Sequence, residues 1–508
     1  MNTILTVITT IQWRMLLYGI LLALSFAPFR IPSFAILSLA LFYSELLKLP
    51  SKSLKKACQI GLWYGIGLFG FGVSWVYVSI HQYGHLHAII SAALTLLFIL
   101  YLSLFTAGVG LCVNYFSALF SSLYAIISFS TFWMLAEWAR ASIFSGFPWL
   151  LIAYGQLDSP IHTLFPWIGI YGVGFYTACI AGILACLLKH TQDKLFLTIA
   201  IITLLFIPAF IKNPTSTSTK PLSVAIIQAN IAMRDKWDEN LFWKVVKTYD
   251  ASIQHLLGTD IIVLPESAIP VPSNYFWDTL QRWNREARNH NTALLLGMPK
   301  PSKQHNAYYN AMLSLGKSQG YYLKQHLVPF GEYIPRQFRT ISHLLHIPDS
   351  HMTAGSHVQS LMTIHNYKIA TLICYEIAYN ELLRQQLPQA QWIVSISDNG
   401  WFGHSFAAYQ QQQMAQVLSL EANRYQIMAN NDGLSSLISS TGEIISELPR
   451  FKSQILRSSL IPITNTTPWM YYGDRPIQSI LLLNFCFILI LHIAQNHRKR
   501  YAYKFNCR

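Results

Sequence analysis

Charged side chains are scarce in this chain. Asp, Glu, Lys and Arg together make up 11% of its 508 residues, and 53% of the residues are hydrophobic. An average soluble domain is about 25% charged, so this composition excludes an ordinary soluble globular protein and indicates a membrane protein. The charges are unbalanced, with 36 Lys and Arg against 22 Asp and Glu. No nucleic-acid-binding motif accompanies this basic excess, and we expect no nucleic-acid partner.

Cysteine is also sparse, and its positions exclude a disulfide framework. Six of the seven cysteines lie in or beside apolar segments or in the basic C-terminal tail. Only Cys374 lies in the long polar segment, at the end of an apolar, strand-like run. A cysteine at the end of a strand often has only a packing role, but this placement makes Cys374 a candidate nucleophile.

Clustered metal ligands are lacking as well. His81, His85 and His87 fall in one loop without a carboxylate, and His-x-x-x-His-x-His is a weak signal for a metal site. We therefore expect no metal.

Long apolar runs, in contrast, recur along the chain. A helix needs about 20 apolar residues to cross a bilayer, and runs of this order predict eight spans. They are approximately residues 12–28, 33–50, 57–80, 87–112, 117–138, 162–188, 195–212 and 477–495. No small-residue cleavage site follows the first span, so we expect it to be retained as a helix.

Positive charge in the short loops predicts the orientation, because Lys and Arg are retained on the cytoplasmic side. Such residues follow the second, sixth and eighth spans, at 48–56, 189–194 and 497–508. With eight spans, these three places share one side of the membrane. Both termini are then cytoplasmic, and the polar segment lies outside the cytoplasm.

The chain is thus predicted to have six parts. A transmembrane bundle, a Ser/Thr/Pro-rich linker, a polar domain, a return loop, a last span and a basic tail occupy residues 1–212, 213–222, 223–465, 466–476, 477–495 and 496–508. In the polar domain, short apolar strands alternate with amphipathic helices, which predicts an α/β fold. The strands are predicted at 223–228, 260–264, 292–297, 367–373 and 391–396, and the helices at 239–257, 273–288 and 405–424.

Three polar motifs follow predicted strands, where α/β domains commonly place their chemistry. Glu266 comes directly after an apolar run and a proline, and a buried carboxylate is costly unless it is paired. Lys324 and Glu332 share the second motif, and Cys374 and Glu376 share the third. Taken singly, each has a structural interpretation as a cap, a strand residue or part of a turn.

Together, the order Glu, Lys, Cys resembles the triad of the nitrilase superfamily. The apolar spans narrow the resemblance to the apolipoprotein N-acyltransferase family of bacterial inner-membrane enzymes. Further similar motifs are WVYVSI at 75–80, SGFPW at 145–149, QANI at 228–231, KWD at 236–238 and WFG at 401–403. The resemblance implies a membrane α-helical bundle of about eight transmembrane helices joined to a nitrilase-like α-β-β-α sandwich.

The resemblance also implies an activity that requires no cofactor. Cys374 would carry an acyl chain from a phospholipid as a thioester, with Glu266 as the base and Lys324 as the cation that stabilises the oxyanion. The implied acceptor is a diacylated apolipoprotein, whose N-terminal amine receives the chain in the last step of lipoprotein maturation. The implied location is the bacterial inner membrane, with the catalytic domain in the periplasm.

Four more residues have supporting roles by the same resemblance. Glu332 and Glu376 are expected to hold Lys324 or to orient the acceptor amine. Tyr375 is expected to pack behind the cysteine, and Trp237 to lie on a loop that contacts substrate. Each of the four also has a purely structural interpretation.

The chain departs from the family pattern at several positions. Asp398 and Asn399 stand where the order Asn-Asp is expected, Gln411 stands where His is expected, and the sequence after Trp469 lacks an expected Arg. These changes leave the three triad positions intact and bear on the acceptor pocket.

Two other classes of function remain open from the sequence. A membrane-tethered nitrilase-type amidase acting on small amides would use the same triad without a lipid-facing pocket. A transporter with a binding domain would explain the spans, although charged residues within the spans are sparse.

Overall fold

The computed structural model describes residues 10–84, 86–116, 122–189, 194–211, 220–302, 307–335, 340 and 352–506. Most of the predicted linker, His85 and the end of the basic tail lie outside these residues. The chain forms two compact units. The first contains the N-terminal part to residue 213 and the C-terminal part from residue 472, and the second contains residues 214–471 together with 82–84.

Helices make up the first unit. They are α1 (Thr10–Ala23), α2 (Pro32–Leu47), α3 (Leu54–Gly72), α4 (Ala88–Phe116), α5 (Ser122–Ser142), α6 (Phe165–Leu188), α7 (Lys194–Phe206) and the C-terminal helix (Arg475–Asn506). Each predicted span overlaps one of these helices, although residues 117–121 of the fifth span lie outside the described ranges.

Fewer of these helices qualify as membrane spans than the sequence predicts. In the described residues, three stretches are long and apolar enough, namely Ala88–Phe116, Pro160–Leu188 and Arg475–Gln495. A fourth is added if Leu54–Gly72 and Val76–Tyr83, which are bent by 59°, form one span. The structure therefore supports a membrane protein, and the total of eight spans stays a prediction.

Glycine allows close helix contacts in this unit. A Cβ on Gly61 of α3 would lie 2.3 Å from the carbonyl oxygen of Thr106 on α4, so no larger residue fits. Such contacts are typical of helices that pack in lipid. The C-terminal helix, by contrast, leaves Leu483 and Ile490 exposed by 69% and 63%. Apolar side chains exposed in this way suit a lipid environment.

Two β-sheets form the centre of the second unit. Their strands are β1 (Leu222–Gln228), β2 (Ile261–Val263), β3 (Ala293–Pro301), β4 (Tyr308–Gly316), β5 (Ser318–Gln319), β6 (Tyr321–Leu323), β7 (Met362–Ile364), β8 (Tyr367–Ile373), β9 (Trp392–Ser397), β10 (Gln426–Asn430), β11 (Ser436–Ile438), β12 (Ile444–Glu447) and β13 (Gln454–Leu460). The sheet orders are β13-β1-β2-β3-β4-β6 and β12-β11-β10-β9-β8-β7-β5. The strands β1 to β3 run parallel, as do β8 to β10, and the outer pairs are antiparallel.

The layers of this unit follow from its apolar cores. Side chains of both sheets, such as Ile226 and Val394, share one core between the sheets. A second core, which includes Trp283, lies between the first sheet and two helices. These helices are α8 (Phe242–Leu256) and α9 (Trp277–Asn289), and α10 (Ala407–Ala422) packs against β10 and β11 of the second sheet. The result is the expected α-β-β-α sandwich.

The predicted elements of the polar domain are confirmed. Five predicted strands overlap β1, β2, β3, β8 and β9, and three predicted helices overlap α8, α9 and α10. The other strands are not predicted. Parallel strands buried on both faces are nearly continuous apolar runs, whereas the missed strands are short or mixed in character. One difference lies in the predicted return loop, which contains a short helix, Pro468–Tyr472.

Candidate active site

Glu266 lies just beyond the carboxyl end of β2 and is only 7% exposed. Its Oε1 accepts a hydrogen bond from Asn310 Nδ2 at 2.7 Å, and its Oε2 accepts one from the backbone amide of Asp398 at 3.1 Å. On β3, a Cβ at Gly297 would come within 2.7 Å of the Glu266 Cα. Only glycine at this position lets β3 pass so close to the carboxylate-bearing segment.

Lys324 follows the edge strand β6 of the same sheet and is 1% exposed. Its Nζ donates to Glu332 Oε1 at 2.9 Å and lies 3.4 Å from Glu266 Oε1. Burial by itself lowers the pKa of Lys324, but the two carboxylates outweigh this effect and hold the pKa above its ordinary value. The ammonium therefore stays charged at neutral pH.

Asn310 also belongs to the site, although the sequence does not indicate it. It lies on β4, and its Nδ2 donates to Glu266 Oε1 at 2.7 Å and to Glu332 Oε1 at 2.9 Å. The backbone carbonyl oxygen of Asn310 accepts from the backbone amide of Lys324 at 2.9 Å. A side-chain amide inside a buried strand must be hydrogen-bonded, so an Asn in such a strand indicates a polar partner nearby. Because β4 is not predicted from the sequence, Asn310 could not be recognised in this way from the sequence alone.

Cys374 lies where β8 ends and a short helical turn, Cys374–Ala378, begins. Its φ is +55°, a left-handed conformation that is uncommon for residues with a side chain and that the surrounding contacts must hold. The Cys374 carbonyl accepts from Gln411 Nε2 of α10 at 3.2 Å. This contact gives Gln411 a role in fixing the turn.

The Cys374 thiol is protonated at rest. Burial, and then the charge of Glu266, raise its pKa to about 12, while Lys324 and a hydrogen bond with Ser397 oppose the rise. A thiol of this kind needs a base before it can act as a nucleophile. Of the two carboxylates that act electrostatically on the thiol, Glu266 has the larger effect, ahead of Glu332, and it is the candidate base.

Glu376 connects the cysteine turn with the lysine segment. It is fully buried, and its Oε2 accepts from the Ile373 amide at 2.8 Å. Its Oε1 accepts from the amides of Gln325 and His326 at 2.6 and 3.1 Å, and from the Tyr322 hydroxyl at 3.1 Å. Burial raises the pKa of Glu376 to about 7, although the backbone donors counteract it. One carboxylate thereby joins the two segments that carry Cys374 and Lys324.

The remaining predicted residues differ in their surroundings. The Tyr375 ring packs at 5.3 Å from Tyr379 and 5.9 Å from His326, measured between ring centroids. Trp237 is 53% exposed and follows the short helix Met233–Lys236. Tyr375 is thus part of an aromatic cluster, and Trp237 is available to a ligand.

The positions that depart from the family pattern are buried. Asp398, Asn399, Gln411 and Trp469 are 3%, 0%, 1% and 1% exposed. Asp398 contacts Glu266 through its amide, Gln411 contacts the cysteine turn, and Trp469 lies in the short helix after residue 467. The departures therefore lie in packed structure, and two of them touch the residues gathered around Cys374.

The arrangement as a whole suits nucleophilic acyl substitution. It combines a thiol, a carboxylate and a fixed ammonium, which are the groups needed for attack, proton transfer and stabilisation of an oxyanion. Among the described residues, no group of three His, Cys, Asp or Glu is placed to hold a metal ion. That a metal is not needed stays a prediction, because His85 lies outside these residues.

Two sequence profiles match the chain. The profile of the apolipoprotein N-acyltransferase N-terminal domain matches residues 18–183, and that of carbon-nitrogen hydrolase matches residues 223–462. Together the two matches include most of the helical unit and nearly all of the α/β unit.

Full-length relatives show the same pattern. The apolipoprotein N-acyltransferase of Methylococcus capsulatus is 35% identical, over 95% of this chain and 97% of its own length. That of Coxiella burnetii is also 35% identical, over 92% and 97%, and that of Pseudomonas aeruginosa is 36% identical, over 91% and 92%.

Proposed function

The chain belongs to the apolipoprotein N-acyltransferase family, and on this premise we propose that it transfers an acyl chain from a phospholipid to an apolipoprotein. The acceptor is the α-amine of the N-terminal diacylglyceryl-cysteine. The observation that carries the proposal is the buried contact of Lys324 with Glu266, beside a thiol on which both act electrostatically. A nitrilase-type amidase is not favoured, because the similarity to acyltransferases extends over nearly the whole chain.

In the first half-reaction, Glu266 removes the Cys374 proton as Sγ attacks the ester carbonyl carbon of the phospholipid. The new C–S bond displaces the carbonyl electron pair onto the oxygen, where the Lys324 ammonium stabilises it. Such a donor typically contributes about 2.7–4 kcal/mol. The ester C–O bond then breaks, and Glu266 returns the proton to the departing lysophospholipid. A thioester remains on Cys374.

In the second half-reaction, the acceptor amine attacks the thioester carbonyl carbon. Glu266 accepts a proton from the nitrogen, the C–S bond breaks and the proton passes to the cysteine thiolate. The product is an amide, and the enzyme returns to its starting state without a metal or a cofactor. Because the two substrates use one nucleophile in turn, we expect ping-pong kinetics.

Four residues support this chemistry in the proposal. Glu332 holds the Lys324 ammonium at 2.9 Å, and Glu376 joins the lysine segment to the cysteine turn through its four hydrogen bonds. Tyr375 packs behind the cysteine, and the exposed ring of Trp237 contacts substrate.

The substrates require a membrane. Withdrawing a chain of about 15 methylenes from lipid into water costs about 12 kcal/mol, at about 0.8 kcal/mol for each methylene. We therefore propose that the acyl chain stays in contact with an apolar surface during transfer. Membership of the family supports a location in the bacterial inner membrane, with the α/β unit in the periplasm. With eight spans, the positive charges in the short loops support cytoplasmic termini.

The test is intact-mass analysis of the full-length protein in detergent after incubation with phospholipid and no acceptor. We expect one acyl adduct on the wild type that hydroxylamine removes and that a diacylated lipopeptide discharges. The Cys374→Ser variant should form no such thioester. Cys486→Ser is the matched control, because Cys486 is an exposed cysteine of the C-terminal helix, and it should behave like the wild type. A folded wild type that forms no adduct would contradict the proposal.

A further inference from the structure

A second buried ion pair lies beside the proposed triad. The Nζ of Lys236 contacts Asp398 Oδ2, and the two side chains are 0% and 4% exposed. Removing both charges from water is costly, and the attraction between them repays this cost only in good geometry with further hydrogen bonds. The pair joins the segment just before Trp237 to the end of β9, across 162 positions of sequence.

The hydrogen bonds of Asp398 lead directly to Glu266. Its Oδ1 accepts from the Gly400 amide at 3.1 Å and from Asn431 Nδ2 at 3.3 Å, which fixes the turn after β9. In that turn the Asp398 amide donates to Glu266 Oε2 at 3.1 Å. The other oxygen of Glu266 is held by Asn310 and lies near Lys324. The turn that Asp398 stabilises therefore provides the support for the second oxygen of the carboxylate.

The charges around Glu266 come from several elements. Lys324 and Glu332 approach from the segment after β6, and Cys374 from the end of β8. Asp398 approaches from the end of β9 and Lys236 from the short helix Met233–Lys236. Both act electrostatically on Asp432, which is 4% exposed. Burial and then Asp398 raise the pKa of Asp432 to about 6, whereas Arg450 and Lys236 lower it. The charges of the pair thus act on a neighbouring carboxyl group with opposite signs.

From these contacts we propose that Lys236 and Asp398 are positioning residues for the reaction. The Asp398 side chain holds its own backbone amide in position to donate to Glu266, and Lys236 neutralises the negative charge of Asp398. The inference rests on the proposed function, in which Glu266 is the base. It adds a residue pair that sets the orientation of the base and balances the charge of Asp398.

The signs of two substitutions follow from electrostatics. Lys236→Met leaves the negative charge of Asp398 uncompensated, which favours the protonated form of Glu266. Asp398→Asn leaves the positive charge of Lys236 uncompensated, which favours the ionised form. The double variant restores neutrality.

The experiment measures the rate of acyl-enzyme formation between pH 5 and 9 by quenched intact-mass analysis. We expect each single variant to be slower, by up to about 100-fold for a displaced base. The acidic limb of the profile should move to higher pH in Lys236→Met and to lower pH in Asp398→Asn, and return in the double variant. The control is Arg282→Met, which breaks a partly exposed ion pair with Asp250 and should leave the profile unchanged.

The outcomes separate the two proposals. Wild-type protein without an adduct would overturn the proposed function itself. Adduct formation with equal losses at every pH in both single variants would overturn only the positioning role. If Lys236→Met does not fold, Asp398→Asn alone tests the inference, through the direction in which the acidic limb of its pH profile moves. This variant is suited to the test because the Asn side chain keeps an oxygen that can accept from the Gly400 amide. If neither single variant folds, the pair is assigned to stability and the inference fails.

Discussion

The resting state of the Cys374 thiol leads to a quantitative prediction. Burial and then Glu266 raise its pKa to about 12. At pH 8 such a group is about 0.01% thiolate, whereas a free cysteine with a pKa of about 8.5 is about one quarter thiolate. Since the thiolate is the reacting species, Cys374 should be alkylated by iodoacetamide about 10³-fold more slowly than a small free thiol.

Two substitutions should change this rate in opposite directions. Glu266→Gln removes a negative charge that raises the thiol pKa, so alkylation should become faster. Lys324→Met removes a cation that lowers the pKa, so alkylation should become slower still. Acyl-enzyme formation, in contrast, should fall in Glu266→Gln by about 10²–10⁴-fold, because general-base catalysis is lost. Faster alkylation together with slower acylation would show that Glu266 has two effects: its charge raises the pKa of the thiol, and its carboxylate removes the thiol proton during acylation.

The assay follows alkylation of the Cys374 peptide by mass spectrometry between pH 7 and 11, with a short cysteine-containing model peptide, whose thiol pKa is about 8.5, as the reference thiol. Wild-type reactivity should still rise above pH 10, where the reference has levelled off. The control is Glu381→Gln, which changes a carboxylate that is 52% exposed and should have no effect. A Cys374 that reacts like the reference at pH 8 would refute the reasoning, because it would indicate a thiolate at rest.

Two further predictions concern the structure around the site. Glu376→Ala removes the acceptor of four hydrogen bonds, including those of the Tyr322 hydroxyl and the Ile373 amide, and each buried donor left unpaired costs about 1–3 kcal/mol. The free energy of unfolding should fall by about 3 kcal/mol or more, measured by thermal unfolding in detergent, and an unchanged stability would contradict this role. Gly297→Ala places a Cβ 2.7 Å from the Glu266 Cα. Because overpacking costs about 1–3 kcal/mol, we expect a lower unfolding midpoint and slower acylation. A variant unchanged in both measurements would show that the β3 backbone can shift to make room for the methyl group.

The fold could be predicted for those elements whose own sequence determines their secondary structure. The strands β1, β2, β3, β8 and β9 are apolar over most of their length because the parallel centre of each sheet is covered on both faces. The amphipathic helices of the α/β unit were likewise visible. The strand β4 was not, because it is an antiparallel strand with partly exposed positions. Its pairing with β3 depends on residues outside its own segment.

The same division applies to the candidate site. The sequence alone indicated Glu266, Lys324 and Cys374, because Glu266 and Cys374 follow predicted strands and the three residues occur in the order that the nitrilase superfamily uses. Only the tertiary structure added Asn310 between two carboxylates and the pairing of Lys236 with Asp398. Local sequence determines which segments become strands and which polar residues end them. Which of those residues meet is decided by sheet order and burial, since a buried charge or amide must find its partner wherever the fold provides one.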